Sequence, residues 1–154
     1  MTAYRLGPNA IRRTAAPLWL WASLLASQCF ANDPCTQPRF TEKAPEEYLA
    51  RTNPVAATTD SISAGETLFK SNLRGAACAA CHGQKGDGRG QLSSMFKPPP
   101  RDFTCARTVK DIPAGQLFWV IKFGSPGTAM PPNRHLSDED VWRIVVYLQD
   151  LVKG

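Results

Sequence analysis

Residues 78–82 read Cys-Ala-Ala-Cys-His, and this pentapeptide decides the interpretation of the whole chain. Two cysteines separated by two residues, with a histidine directly after the second, are the attachment signature of a c-type haem. In that chemistry Cys78 and Cys81 add to the two vinyl groups of the porphyrin as thioethers, and His82 ligates the iron. The motif occurs once. The sequence therefore predicts one covalently bound haem c per chain.

A zinc site is the alternative, because thiolates and imidazole at short spacing also suit zinc. Such a site would need further ligands. Only Cys105 and His135 follow the motif, singly and far away. The haem interpretation is the stronger one, and at 154 residues the chain has room for one ordinary domain around that haem.

Residues 1–31 have the pattern of a secretory leader. Their basic residues are Arg5, Arg12 and Arg13, no acidic residue occurs, and an apolar stretch of roughly 14 residues follows from about position 15. The small-residue pattern that ends at Ala31 predicts cleavage before Asn32. An uncleaved membrane anchor is the alternative, but the stretch is short of the about 20 residues that a spanning helix needs. We expect export to the periplasm, cleavage near Ala31-Asn32 and no stable membrane insertion afterwards.

Five cysteines fit an oxidising compartment. If Cys29 leaves with the leader and the haem uses two, Cys35 and Cys105 remain as a pair. A disulfide between them would close a loop of about 70 residues and would stabilise the fold by roughly 4 kcal/mol. Two unrelated thiols are the alternative.

The basic charge of the full chain is mostly a property of the leader. Without it, 15 basic residues stand against 13 acidic ones, and two haem propionates would bring the net charge close to zero. Nothing in the chain resembles a nucleic-acid-binding module. A basic segment remains, with Lys85, Arg89, Lys97, Arg101, Arg107 and Lys110. It is either ordinary solvated surface or a rim that steers a redox partner with an acidic docking surface.

The periodicity of the sequence predicts an all-α architecture. Residues 32–59 are rich in Pro, Ala and Thr and predict an extended arm, with one short helical turn around Glu46 to Ala50. A Ser63-x-x-Glu66 capping box predicts a helix over about 64–73. Pro113 and Gly124 bracket a helix over 114–123, and Ser137 begins a last helix with an apolar stripe.

A six-coordinate haem needs a second axial ligand. The candidates are Met95, Met130 and His135, because the remaining methionine and histidine are Met1 in the leader and His82 itself. Met130 lies on a proline-stiffened loop between two helices, and a rigid loop can hold a weak thioether donor at bonding distance. Met95 fits a packing role instead. We therefore expect Met130 to ligate the iron, with His135 and an open site as the alternatives.

The order of helix, CAACH, glycine-rich loop, middle helix, Gly-Thr-Ala-Met130-Pro and C-terminal helix resembles the class I cytochromes c over about residues 60–153. The resemblance implies a small cytochrome c fold of three to five helices over residues 60–154, with the arm as an addition. It implies that Gly65 and Phe69 cross the terminal helix near Tyr147. It also implies that a carbonyl of the Pro98–Pro100 run accepts a hydrogen bond from His82.

With protein ligands on both sides, the iron has no vacancy for a substrate. We therefore expect a monohaem electron carrier, not an enzyme, which passes single electrons between periplasmic or membrane partners. The first alternative is a dedicated haem subunit of one oxidoreductase complex. The second alternative is a peroxidase or gas-binding protein with an open iron. Multihaem peroxidases need a second CxxCH motif. Gas-binding four-helix cytochromes carry the motif near the C-terminus, whereas 72 residues follow His82 here.

Overall fold

The computed structural model describes residues 37–38, 41–71 and 77–152, and the compact unit that contains them spans Asn32–Gly154. The predicted leader, its cleavage site, Cys35 and the predicted end of the first long helix at Leu73 lie outside the described residues. Within the described part, no helix is both long and apolar enough to cross a membrane.

The described residues form helices and no strands, as predicted. Three single-turn helices of four residues accompany three longer ones, so the expected count of three to five is exceeded by short turns alone. In chain order the helices are α1 (Glu46–Leu49), α2 (Thr59–Lys70), α3 (Ala79–His82), α4 (Ala106–Val109), α5 (Ala114–Phe123) and α6 (Asp138–Asp150), with a 3-10 turn at Ser93–Met95.

Helix α2 begins five residues before the predicted start, at Thr59 rather than Ala64. The capping box is formed by Thr58 and Ser61: the Ser61 N–H donates to Thr58 Oγ1 at 3.2 Å, and the Thr58 N–H donates to Ser61 Oγ at 2.9 Å. The predicted box at Ser63 lies inside the helix. Its Glu66 carboxylate instead pairs with Lys70 one turn later, at 2.6 Å. Several cap-like residues precede this apolar face, and the box formed earlier along the chain starts the helix.

Helix α5 has the predicted bounds and helix α6 has the predicted start, because local signals mark these positions. Pro113 is the N-cap of α5 and Gly124, at φ +81°, is its C-cap. Ser137 caps α6, where its Oγ accepts a hydrogen bond from the Asp140 N–H at 3.1 Å. The predicted apolar stripe of α6 is fully buried at Val141, Ile144, Val145 and Leu148.

Helices α2 and α6 cross at Gly65, as the resemblance implied. A Cβ atom at this position would collide with the Arg143 carbonyl oxygen, so only glycine allows the two backbones to approach so closely. One turn later the Phe69 and Tyr147 rings lie 5.4 Å apart between centroids. Helix α5 completes the core through Phe118, whose ring lies 4.4 Å from that of Trp142.

The described part of the arm lies against α5 and α6. Its predicted helical turn is α1, where Tyr48 stacks near Phe118 with centroids 6.3 Å apart. The buried Gln116 side chain accepts a hydrogen bond from the Ala44 N–H at 2.8 Å and donates to the Glu42 carbonyl at 3.1 Å. The arm is therefore held by specific long-range hydrogen bonds.

Candidate functional site

One cavity collects most of the residues that the sequence singled out. Its volume is about 530 Å³, within the range of about 300–1,000 Å³ that is usual for ligand and cofactor sites. Cys78, Cys81, His82 and Met130 all line it. Most of its other walls are apolar, and they include Phe96, Phe103, Leu117, Val120, Ile121 and Leu148.

Residues Ala79–His82 of the CAACH motif form helix α3, with Cys78 as its N-cap, and both cysteines and the histidine line this cavity. Gly83 ends the helix at φ +81°. The glycine-rich loop then returns to α3, where the Gly90 N–H donates to the Cys81 carbonyl at 3.1 Å. A Cβ at Gly90 would collide with the Ala80 carbonyl oxygen, so this close return depends on glycine.

Both motif cysteines are partly buried and line the largely apolar cavity. Burial raises the pKa of Cys78 to about 11, and burial also raises the pKa of Cys81. Among the described residues, no three His, Cys, Asp or Glu side chains converge as a metal site would require. The arrangement favours thioether attachment over the zinc alternative.

His82 is oriented by a hydrogen bond from its ring to the Arg101 carbonyl, with Nδ1 and the oxygen 3.0 Å apart. A carbonyl oxygen only accepts, so Nδ1 carries the proton and Nε2 keeps its lone pair for a metal. Burial lowers the pKa of His82, while the bond to Arg101 opposes this shift. The expectation that a carbonyl within Pro98–Pro100 accepts this bond is wrong. The acceptor is the carbonyl of the next residue, Arg101. Any backbone carbonyl can accept this hydrogen bond whatever its side chain, so residue type does not select the acceptor.

Aromatic rings pack around the His82 imidazole. The Phe103 centroid lies 4.9 Å from that of His82, and the Phe69 centroid lies 6.3 Å away. Phe69 also contacts Tyr147 at the crossing of α2 and α6. The helix crossing that closes the fold is therefore coupled by direct packing to the proposed iron ligand.

The loop that carries Met130 is held by hydrogen bonds at both ends of the residue. The Met130 carbonyl accepts from the Ser125 N–H at 3.1 Å, and its N–H donates to Thr128 Oγ1 at 3.2 Å. Gly124 allows the backbone of Met130 to pack closely against it, because a Cβ at position 124 would lie 2.9 Å from the Met130 carbonyl oxygen. Met130 is partly buried against the core. These contacts agree with the rigid loop that the sequence predicted.

The structure separates the other two candidate ligands. Met95 is 72% exposed and is absent from the residues that line the cavity. His135 is also exposed, but it does line the cavity. The structure therefore favours Met130 and His135 over Met95, and the choice between these two stays a prediction.

Ser125 supplies an independent test of whether a group with polar atoms fits the cavity. Its side chain is only 5% exposed and lines the cavity, and its Oγ has no hydrogen-bond partner among the described residues. A buried hydroxyl without a partner costs about 1–3 kcal/mol. A porphyrin in this cavity would bring both a large apolar face and carboxylates that could accept from this hydroxyl. The residues present fit a haem.

The predicted basic segment is largely at the surface. Of its six residues only Arg101 is half-buried, and Arg101 also lines the cavity. Lys97 is exposed between Phe96 and Pro98, which both line the cavity. Two large apolar side chains are exposed just before Lys97: Met95 in the 3-10 turn and Leu92 at the N-cap of that turn. Positive charge and exposed apolar surface therefore lie on one segment beside the cavity.

Cys105 is buried and disulfide-bonded. The cysteine predicted to be its partner, Cys35, lies outside the described residues. The pairing of these two cysteines therefore stays a prediction.

Sequence reasoning missed three contributors to this site. The Arg101 carbonyl and the Ser125 hydroxyl have no signature, because the first is backbone and the second is a common residue. Gln37 also lines the cavity and bonds to the backbone on both sides of Arg101. The sequence predicted an extended arm over residues 32–59 and singled out no contact of Gln37 with the site.

A family model described as cytochrome c oxidase, cbb3-type, subunit III matches residues 60–148. The matched range covers the CAACH motif, the Met130 loop and most of α6. No match was found among curated proteins.

Two solved structures are similar to the chain. The first is the reducing HAO-like protein complex of Kuenenia stuttgartiensis, with 27% sequence identity, a TM-score of 0.56, and coverage of 73% of this chain and 52% of that one. The chain thus spans about half the length of that protein. The second is cytochrome CL of Methylophaga aminisulfidivorans MPT, with 22% identity, a TM-score of 0.45, and coverage of 75% of this chain and 71% of that one.

Proposed function

The chain belongs to the c-type cytochrome family described as cytochrome c oxidase, cbb3-type, subunit III, and we propose that it is a monohaem carrier of single electrons. Membership implies covalently bound haem c, and members of this family transfer electrons through it. The proposal adds the residues that hold the haem and the role of the carrier. Cys78 and Cys81 form the thioethers, while His82 and Met130 are the axial ligands.

The observation that carries this proposal is the convergence of those four side chains on one apolar cavity. His82 lines the cavity, and its Nδ1–H donates a hydrogen bond to the Arg101 carbonyl, so Nε2 is the nitrogen available to iron. Met130 lies on a loop in which its own N–H and its own carbonyl both form hydrogen bonds. Two ligands on separately held segments of the chain support a six-coordinate iron over an open one.

When bound, a haem with histidine and methionine ligands cycles between ferrous and ferric iron at a relatively high potential. The residues around the haem then determine its reduction potential. Apolar walls disfavour the ferric form, which carries the extra positive charge. The bond from His82 to Arg101 acts in the opposite direction, because it increases the basicity of the ligand.

The partners are redox proteins, and we propose that they dock on the basic segment with an acidic surface. Support comes from the exposed charges around Lys97, which lies between two residues that line the cavity. Opposite charges on two surfaces raise the rate of encounter more than the final affinity. We further propose that the leader over residues 1–31 directs the carrier to the periplasm, since CxxCH attachment and cysteine pairing both suit an exported protein.

A dedicated haem subunit of one oxidoreductase is the second candidate. It is supported by the likeness to a chain of a reducing HAO-like protein complex, whose name describes an assembly. The docked arm would then add to a permanent interface. Gel filtration of the native extract over a range of dilutions separates the candidates: a carrier elutes as a free small protein, and a subunit stays with one large enzyme.

A potentiometric titration followed by visible spectroscopy tests the proposed function. We expect one low-spin haem that titrates as a single one-electron couple. The ferrous protein should not take up carbon monoxide at neutral pH, because both axial positions are filled by the chain. Rapid uptake of carbon monoxide by the ferrous protein would contradict the carrier assignment.

A further inference from the structure

The Gln37 side chain of the arm forms hydrogen bonds with the backbone of residues 100–102, and the Arg101 carbonyl of this segment orients His82. Its Nε2 donates to the Pro100 carbonyl at 3.3 Å, and its Oε1 accepts from the Asp102 N–H at 2.8 Å. These partners lie 63 and 65 residues further along the chain. One side-chain amide thus forms hydrogen bonds with the backbone on both sides of Arg101.

The Asp102 N–H and the Arg101 carbonyl are the two polar ends of a single planar peptide group. The carbonyl end accepts from His82 Nδ1 at 3.0 Å, and the N–H end donates to Gln37 at 2.8 Å. The hydrogen bonds therefore run in series from the imidazole, through one peptide group, to the arm. Bonds in series polarise one another, so an acceptor on the N–H makes the carbonyl a stronger acceptor for His82.

We propose that Gln37 is a positioning residue that tunes the reduction potential of the haem iron through this peptide group. The inference rests on the proposed ligation of the iron by His82. A stronger acceptor at Nδ1–H increases the basicity of the ligating nitrogen. A more basic ligand favours ferric over ferrous iron, so Gln37 lowers the potential.

A purely structural role would make Gln37 one anchor of the arm among several. Asn53 offers a matched comparison, because it is another amide of the arm that bonds to the domain backbone. Its Nδ2 donates to the Trp142 carbonyl at 3.0 Å and its Oδ1 accepts from the Val55 N–H at 2.9 Å. Asn53 is absent from the residues that line the cavity.

The test compares Gln37→Met with Asn53→Leu in the mature, haem-loaded protein. Both changes remove an amide and keep the approximate size of the side chain. We expect Gln37→Met to raise the midpoint potential and to move the His82 Nδ1–H proton resonance of the ferrous form upfield, because its hydrogen bond weakens. We expect Asn53→Leu to leave the potential and the resonance at their wild-type values.

Gln37→Glu provides a second variant that keeps an acceptor for the Asp102 N–H. The resonance should then stay at least as far downfield as in the wild type. The carboxylate also lowers the potential by its own charge, so the resonance decides the outcome for this variant.

Three results would overturn the role of Gln37: an unchanged potential in Gln37→Met, equal shifts in Gln37→Met and Asn53→Leu, or a shifted potential with an unmoved His82 resonance. The last result would assign the effect to the polarity of the cavity wall. If the wild type shows no low-spin haem, the ligation by His82 fails and this proposal fails with it. A normal wild-type spectrum confines any failure to Gln37.

Discussion

Gly65 and Arg143 bring the backbones of α2 and α6 into direct contact. A side chain at Gly65 would overlap with the Arg143 carbonyl oxygen and crowd the Tyr147 Cβ. The contact lies one turn from the Phe69–Tyr147 ring pair, and Phe69 in turn packs beside His82. The closing contact of the fold and the proposed iron ligand are thus connected through one aromatic side chain.

Gly65→Ala should destabilise the protein. Within a free helix this change stabilises by up to about 1 kcal/mol, because alanine is the better helix former. Here overpacking against a backbone atom should dominate, so we expect a loss of about 1–3 kcal/mol in the free energy of unfolding. Denaturant unfolding measures it. The exposed Ser63 of the same helix is the control, and Ser63→Ala should not destabilise; a more stable Gly65→Ala would show that the helices separate freely.

Met130→Ala should remove the weak far-red band of the ferric protein that reports sulfur ligation, and should open the ferrous iron to carbon monoxide. Met95→Ala is the matched control, because this exposed methionine is absent from the cavity lining, and its spectrum should equal that of the wild type. His135→Ala tests the alternative ligand. A retained band in Met130→Ala would reject Met130, and a spectrum altered by His135→Ala would favour His135.

Gln116→Met should loosen the arm from α5. The change leaves the buried Ala44 N–H without its acceptor, and an orphaned buried donor costs about 1–3 kcal/mol. We expect a loss of that size in the free energy of unfolding, together with faster proteolysis within residues 41–53. The same change at Gln91, which is exposed, should have no effect on either measurement. Equal stability of the two variants would contradict a clamping role for Gln116.

Mass spectrometry of the unreduced mature protein should find a disulfide-linked peptide pair that contains Cys35 and Cys105. On the chain-entropy model, loss of this bridge in Cys35→Ser should cost roughly 4 kcal/mol. Alkylation of Cys35 without prior reduction would contradict the pairing. A different cysteine in the peptide linked to Cys105 would identify the true partner.

Lys97→Glu should slow the oxidation of the ferrous protein by an anionic iron complex such as ferricyanide. The charge at Lys97 lies beside the cavity, so its reversal should reduce the rate by up to roughly tenfold at low ionic strength and weaken the dependence on salt. Stopped-flow absorbance measures the rate. Lys43→Glu makes the same charge change on the arm and should have a smaller effect. Equal effects of both variants would show that only the net charge matters.

Local chemistry alone was enough to predict much of this protein. The CAACH motif, the Pro113 and Gly124 boundaries of α5 and the Ser137 cap of α6 depend on neighbours within a few residues. Their physical causes are the chemistry of haem attachment, the restricted φ of proline, the freedom of glycine and the satisfaction of helix-end N–H groups. Such causes can be read from a sequence.

Tertiary structure alone decided which groups surround the motif. Arg101 rather than a proline accepts from His82, since backbone carbonyls are chemically alike and only packing selects one of them. The start of α2 at Thr59 required a choice between competing caps. Gln37 reaches its partners across more than 60 residues of chain, and no local pattern encodes a contact at that separation. The sequence determined that a haem would be attached; the fold determined which hydrogen bonds surround its histidine.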